Sequence, residues 1–244
     1  MADLADTLIA RYGAETVIAA LSPQTSEERA TRIEQVLAER LGGLTVVVEN
    51  LHNPHNGAAA LRSCEAVGLS SLHVVETAER FQFSKKVSIG CEKWVAIHRH
   101  PTFPECAATL RASGFELYAA VPGAELSVHD VDASRPTALV FGNELDGLTP
   151  LAIEACDRSF SIPMSGFTQS LNLSVSVAVS VHTLAARLRS SLAGEGDLPE
   201  AERAHLRARW YALGIRGVEG TVDRFVSDRT HSGVGPVTRS RDES

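Results

Sequence analysis

Several chemistries are excluded by what this chain lacks. No Cys-x-x-Cys pair occurs: Cys64, Cys91, Cys106 and Cys156 are scattered, which argues against a zinc knuckle and against the disulfide framework of a small secreted domain. Buried free thiols are the simpler reading. Positive charge is in deficit, and a formal net charge of −7 argues against wholesale affinity for a polyanion without excluding it, because such binding rests on neutralising phosphates. Only locally clustered cations remain for that purpose, at Arg29 to Arg40, Arg62, Lys85 to Lys93, Arg99, and Arg203 to Arg209. Each of these, taken alone, reads first as a solvated face.

Long apolar runs are missing too. The most apolar long segment, Leu171 to Leu188, is interrupted by Asn172, several serines and His182, so no membrane span is expected. The N-terminal MADLADTLIARYG carries acids where a signal peptide would be basic and lacks a sustained apolar stretch, which predicts a cytoplasmic protein. Also absent is the glycine-rich turn that a dinucleotide-binding fold places after its first strand. After TVVVEN the chain runs Leu51-His52-Asn53-Pro54-His55-Asn56-Gly57, so an adenosine-bearing ligand would have to be held some other way. His52 and His55 have a spacing that a metal could use, but no third ligand stands near them, and no metal is expected.

What is present is a globular chain, 44% hydrophobic and 22% charged, long enough for one real core with appendages. Residues Ala2 to Ala20 and Ser26 to Leu41 read as two helices separated by a Pro23 turn, and Gly42-Gly43 ends the second. From Leu44 onward, apolar strand runs alternate with helical segments: TVVVEN, a helix Ala58 to Val67, LHVVE, WVAIH, a helix around Pro104 to Ala112, FELYAAV, TALVF, a helix around Pro150 to Ala155, and SFSIPM. That alternation predicts an α/β fold with a parallel sheet covered by helices. Leu171 to Val181 has apolar residues at every second position, a strand pattern, yet it continues into the helix-favouring LAARLR; helix is the expectation. Three segments are therefore expected: a helical extension over 1–43, a core over 44–190, and a C-terminal helix with a disordered tail from about Asp228 over 191–244.

Three stretches carry polar residues in glycine-containing loops after strand-like runs: Asn50 to Gly68, Ala138 to Leu148, and Ser161 to Leu184. Singly, their residues have ordinary uses. Asn56 would serve as a helix cap, Arg62 as a surface arginine, Glu144 as an acid before a helix, and Ser170 with Asn172 as another cap. In the third stretch, Pro163, Gly166 and Gln169 interrupt regular structure and free backbone groups for a ligand.

Together the three stretches resemble the motifs of the SpoU/TrmH group of SPOUT RNA 2'-O-ribose methyltransferases. Gly142, Glu144 and Gly147 fit its Gly-x-Glu-x-x-Gly pattern, and IPMSGFTQSLNLSVSVA resembles its Ile-Pro-Met-x-Gly-x-x-x-Ser-Leu-Asn-Val-Ser-Val-Ala, with leucine for valine at Leu173. The resemblance runs from about Arg29 to Arg189 and is greatest to the branch that methylates a guanosine of the tRNA D-loop; ribosomal RNA as substrate, or an RNA-binding module without activity, are the alternatives. It implies a deep C-terminal trefoil knot, a homodimer, tRNA as partner and S-adenosylmethionine as cofactor. It further implies Asn56, Arg62, Glu144, Ser170 and Asn172 as catalytic residues, with Arg62 toward the RNA phosphate. The cofactor residues it implies are Leu139, Gly142, Asn143, Glu144, Gly147, Ile162, Met164, Ser170, Leu171 and Asn172.

Overall fold

The computed structural model describes residues 4–77 and 81–231. The chain forms two compact units rather than three consecutive segments: the larger spans residues 38–199, and the smaller joins the chain up to Leu37 with the chain from Glu200.

In the larger unit, seven strands form one sheet: β1 (Leu44–Glu49), β2 (Ser71–Val75), β3 (Ala96–His100), β4 (Glu116–Ala120), β5 (Leu126–Ser127), β6 (Thr137–Phe141) and β7 (Arg158–Ser161). Their order is β3-β2-β1-β6-β4-β7-β5, and every pairing is parallel, as the alternating pattern predicted. β1 and β6 lie at the centre, buried along their whole length, which is why their sequences are nearly unbroken apolar runs. The side chains of Val46, Val48, Leu139 and Phe141 join Leu61 of α4 (Pro54–Ala66) and Val181 and Leu184 of α8 (Leu173–Ser191) on one face. Val47 and Val140 join Phe103 and Leu110 of α6 (Phe103–Ala112) and Ala152 of α7 (Pro150–Ala155) on the other. A short α5 (Lys85–Ser88) and the two-residue β5 fall where no element was expected.

α8 is a helix, against its alternating pattern. Burial selects Leu173, Val177, Ser180, Val181, Leu184 and Leu188, a helical repeat, and leaves Val175 and Val179 exposed. α4 begins four residues earlier than expected: Pro54 occupies its first position and Asn53 caps it, accepting from His55 N at 2.9 Å. The cap reading of Asn56 is thereby corrected, and its side chain is released for other contacts. Beside α6, the buried His73 shares a 3.0 Å hydrogen bond with His100 and stacks on His98. Cys106 lies close enough that one ligand atom each from His73, His100 and Cys106 falls within 4.8 Å.

The smaller unit contains α1 (Leu4–Tyr12), α2 (Ala14–Leu21), α3 (Glu27–Ala38), α9 (Glu200–Ala212) and α10 (Val218–His231). The expected single helix over 2–20 is broken at Gly13, whose φ of 80° continues no helix. α10 carries the chain in order past Asp228, contrary to expectation; residues 232–244 of the expected tail lie outside the described residues. The basic run Arg203 to Arg209 is tied up internally. Arg207 clasps Glu34 with two bonds of 2.6 and 2.8 Å, Arg209 meets Asp6, and Arg203 meets Glu200. In the larger unit, the Asp197 carboxylate accepts from both Gly42 N and Gly43 N, at 2.6 and 3.0 Å, which binds the segment before Pro199 to the start of β1.

Candidate active site

Open parallel sheets bind ligands beyond the carboxyl ends of their strands, and here the predicted motifs converge at that edge. Beyond β6, Gly142 to Gly147 folds into a tight turn closed by reciprocal 3.2 Å bonds between Asn143 and Gly147. Asn143 Oδ1 accepts from Leu145 N and Asp146 N, each at 2.8 Å, which rigidifies the turn. A side chain at Gly142 would stand 1.9 Å from the Gly147 carbonyl carbon, so only glycine fits. Glu49, which no motif singled out, is buried at the end of β1 and takes Thr149 N and the Thr149 hydroxyl on its two oxygens, at 2.9 and 2.8 Å. The turn is thus anchored at its far end as well.

Three of the predicted residues meet through a directed chain of hydrogen bonds. Asn172 caps α8, its Oδ1 accepting from Ser174 N at 2.9 Å. That bond leaves its amide to donate to Asn56 Oδ1 at 3.3 Å, and Asn56 Nδ2 donates in turn to Glu144 Oε1 at 2.6 Å. Each acceptor dictates the orientation of the next amide, so the carboxylate of Glu144 is held with one oxygen engaged. Its second oxygen has no partner among the described residues.

Arg62 does not join them. It lies nearly two turns along α4 from Asn56, about 120° around the helix axis, and its guanidinium donates to the Val87 carbonyl at 3.3 Å instead of reaching back to the loop.

A cavity of about 380 Å3 opens beside Glu144, between the turn after β6 and the loop from Ile162 to Leu171. Of the predicted cofactor residues, Gly142, Asn143, Glu144, Gly147, Ile162, Met164, Ser170 and Leu171 line it. Leu139 does not: it is wholly buried inside β6, and Phe141, two residues on along the same side of the strand, takes the lining role. Asn172 stands outside the lining, in the hydrogen-bond chain. Sequence reasoning missed Ala120, Val121 and Pro122, which line the cavity from the end of β4. The only signal was the apolar run FELYAAV stopping at Pro122-Gly123, and nothing linear says that β4 lies beside β6. From Met164 to Leu171 no backbone amide donates to a backbone carbonyl among the described residues, and Met164, Ser170 and Leu171 of this stretch line the cavity. The cavity is therefore apolar in part, through Phe141, Phe160, Ile162 and Leu173.

These features define a parallel α/β protein with a built ligand cavity at its sheet edge and a fixed Asn-Asn-Glu constellation at its rim. Residues 43–182 match the SpoU rRNA Methylase family, and the chain belongs to that family. A tRNA (guanosine(18)-2'-O)-methyltransferase of Thermus thermophilus is 40% identical over 157 residues, covering 64% of this chain and 81% of that protein. The protein of the same description from Borreliella burgdorferi is 33% identical over 203 residues, 83% of this chain and 93% of that one. The crystal structure of the Aquifex aeolicus TrmH/SpoU tRNA modifying enzyme superposes with a TM-score of 0.70 at 30% identity, covering 78% of this chain and 98% of that one. The SpoU methyltransferase AviRb of Streptomyces viridochromogenes, solved with AdoMet, gives 0.54 at 25% identity, over 63% of this chain and 60% of that one.

Proposed function

We propose that this protein transfers a methyl group from S-adenosylmethionine to a ribose 2'-hydroxyl of RNA, and that its substrate is the D-loop guanosine of tRNA, guanosine 18 in the relatives' description. The observation that carries this reading is the chain Asn172 to Asn56 to Glu144, which joins three sequence motifs at the rim of a cavity suited to an adenosine ligand.

The residues present fit that cofactor. Gly142 lets the turn after β6 close tightly beside the cavity, the lining residues Met164, Ser170 and Leu171 have backbone amides without a backbone partner that can read an adenine edge, and Phe141, Ile162 and Leu171 offer apolar contact. When bound, S-adenosylmethionine supplies an electrophilic methyl on a sulfonium, a reaction that calls for in-line approach and loss of one proton and so needs no metal. The chain's own part is positioning. Asn56 fixes Glu144 at the cavity edge, where the free carboxylate oxygen can accept from a donor of the bound substrate. Arg62, outside the hydrogen-bonded trio, supplies positive charge to the RNA phosphate. An ordinary arginine, with a pKa above about 12, is a poor base, so this is a charge and orientation role.

Three further features belong to the same reading. β7 is laid between β4 and β5, which precede it in the chain, and this order of insertion supports a trefoil knot around the 162–172 loop. Exposed Val175 and Val179 on α8, with the fully exposed Phe167, support a homodimer. A tRNA substrate implies the cytoplasm, and among the described residues no helix is long and apolar enough to cross a membrane.

The test is methylation of unmodified tRNA transcripts with labelled S-adenosylmethionine, followed by nucleoside mapping. 2'-O-methylguanosine in the D-loop is expected. Methylation of ribosomal RNA alone would replace the substrate but keep the reaction, and cofactor binding without transfer to any RNA would reduce the protein to a binding module.

A further inference from the structure

A second cavity, about 730 Å3, lies across the Asn143–Gly147 turn from the first. The two share Asn143, Asp146 and Gly147 as a partition, and because β6 lies between β4 and β1 in the sheet, the second opens over the ends of β1 and β2. Nothing in the hydrogen-bonded trio occupies it. One wall is the nearly buried Phe81, packed so closely on α4 that a side chain at Gly57 would come within 2.7 Å of its ring. Of the two acids in the lining, Glu76 is neutralised by Arg99, and Asp146 stands in the partition with no ion pair among the described residues.

Asn50 gives this cavity a fixed donor. The residue is held in the left-handed region, at φ 51°, and its Oδ1 accepts from Thr77 N and the Thr77 hydroxyl at 3.2 and 2.8 Å. Its amide plane is therefore set, while Nδ2 has no partner among the described residues.

The segment that leaves the cavity wall at Gln82 is positive. From Phe81 and Gln82 the chain runs directly into α5, docked on α4 through Ser84 N to the Pro54 carbonyl at 3.2 Å. Lys85, Lys86 and Lys93 are exposed, and Arg62 reaches the same segment at Val87. None of these four cations is ion-paired with an acid among the described residues, whereas Arg40, Arg99, Arg111, Arg203, Arg207 and Arg209 all are. The nearby Glu92 turns one carboxylate oxygen inward. In a chain of net charge −7, these four are a local group of cations available to a phosphate.

A pocket with an apolar wall and one oriented N–H donor, whose wall continues into a segment of unpaired cations, suits a base whose flanking backbone carries phosphates. We propose that the second cavity receives the acceptor nucleotide of the RNA, with Asn50 Nδ2 donating to an acceptor on its base and Lys85, Lys86, Lys93 and Arg62 holding the adjoining phosphates. This inference rests on the methyltransferase reading above, and it sets the target ribose at the partition between the two cavities.

Two full-length variants test it against a tRNA transcript. Asn50→Asp keeps the oxygen that serves Thr77 and replaces the donor with an acceptor. Its KM for tRNA is expected to rise about tenfold, the loss of one base hydrogen bond, with the calorimetric Kd for S-adenosylmethionine unchanged. Lys85→Glu/Lys86→Glu alters only exposed positions, which protects the test should the first variant fold poorly. Its slope of log affinity for tRNA against log salt is expected to flatten by about 1.5, because two phosphates are no longer neutralised. Either folded variant matching an active wild type in these readouts overturns the inference, as does loss of cofactor affinity in Asn50→Asp with an unchanged KM for tRNA. A wild type inert toward every RNA overturns the methyltransferase reading itself, and the inference with it.

Discussion

Asn56 and Glu144 are 88 residues apart in the chain and share a 2.6 Å hydrogen bond across the edge of the sheet. The bond exists because β1 and β6 are parallel neighbours, so the loop after each emerges at the same end. Asn56 also accepts from Asn172, so a single amide links the segments after three different strands.

Replacing that amide is the direct probe. Asn56→Ala frees Glu144 and strands the Asn172 amide, and methyl transfer is expected to fall on the order of a hundredfold, as for loss of one preorganised group. Steady-state kinetics on tRNA measure it, with circular dichroism to verify the fold. A kcat within about threefold of wild type contradicts the role, since removing such a group costs far more.

Gly142→Ala addresses the cavity proposed for the cofactor. The new Cβ would fall 1.9 Å from the Gly147 carbonyl carbon and 2.1 Å from its oxygen, both backbone atoms that cannot rotate aside. The turn must open, and S-adenosylmethionine affinity is expected to drop by at least tenfold, or about 1.4 kcal/mol. Isothermal titration reads this directly; unchanged affinity in a folded variant would show that the turn is not part of the cofactor site.

Arg62→Ala is expected to abolish methyl transfer and leave cofactor affinity nearly intact. Its guanidinium is at the Val87 carbonyl, whereas the first cavity is lined by the turn after β6 and the 162–171 loop. Loss of cofactor binding on this substitution would erase the division between an RNA side and a cofactor side.

Stability should depend on pH through His73. Burial first, then the neighbouring His98 and His100 rings, push this imidazole down to about 3, against about 6.5 in an unfolded chain. Between those values the unfolded chain takes up a proton that the folded protein refuses. Its contribution is therefore complete above about pH 6.5 and is lost as pH falls toward 3, amounting to about 2 kcal/mol by pH 5. His100 is lowered as well, by burial, and acts in the same direction. Thermal unfolding at pH 7, 6 and 5 should show this loss in wild type and a shallower one in His73→Asn; parallel profiles would refute it.

Much of the catalytic edge was legible in the linear sequence because its signals are local. Unbroken apolar runs forecast β1 and β6, and the glycines and prolines of GNELDGL and IPMSGF marked the two loops that wall the cavity. Asn172 could be read as a cap from its position alone, and it is one. The 171–181 alternation taken alone points to a strand because valines and leucines occupy both faces; the helix expected from LAARLR is the one formed, and burial against α4 and the sheet selects its repeat.

The sequence by itself determined the composition of the strands, the ends of several helices and which loops carry polar groups, since each of these depends on a few neighbouring residues. Tertiary structure decided the rest. It placed β6 between β1 and β4, which brought Glu144 to Asn56 and Pro122 to the cavity. It turned Arg62 away from Asn56, because six residues along a helix leave two side chains about 120° apart around the axis. It also cancelled the Arg203 to Arg209 run against Glu34, Glu200 and Asp6 while leaving Lys85, Lys86 and Lys93 unpaired, a distinction that follows from side chains meeting across helices and has no trace in the order of residues.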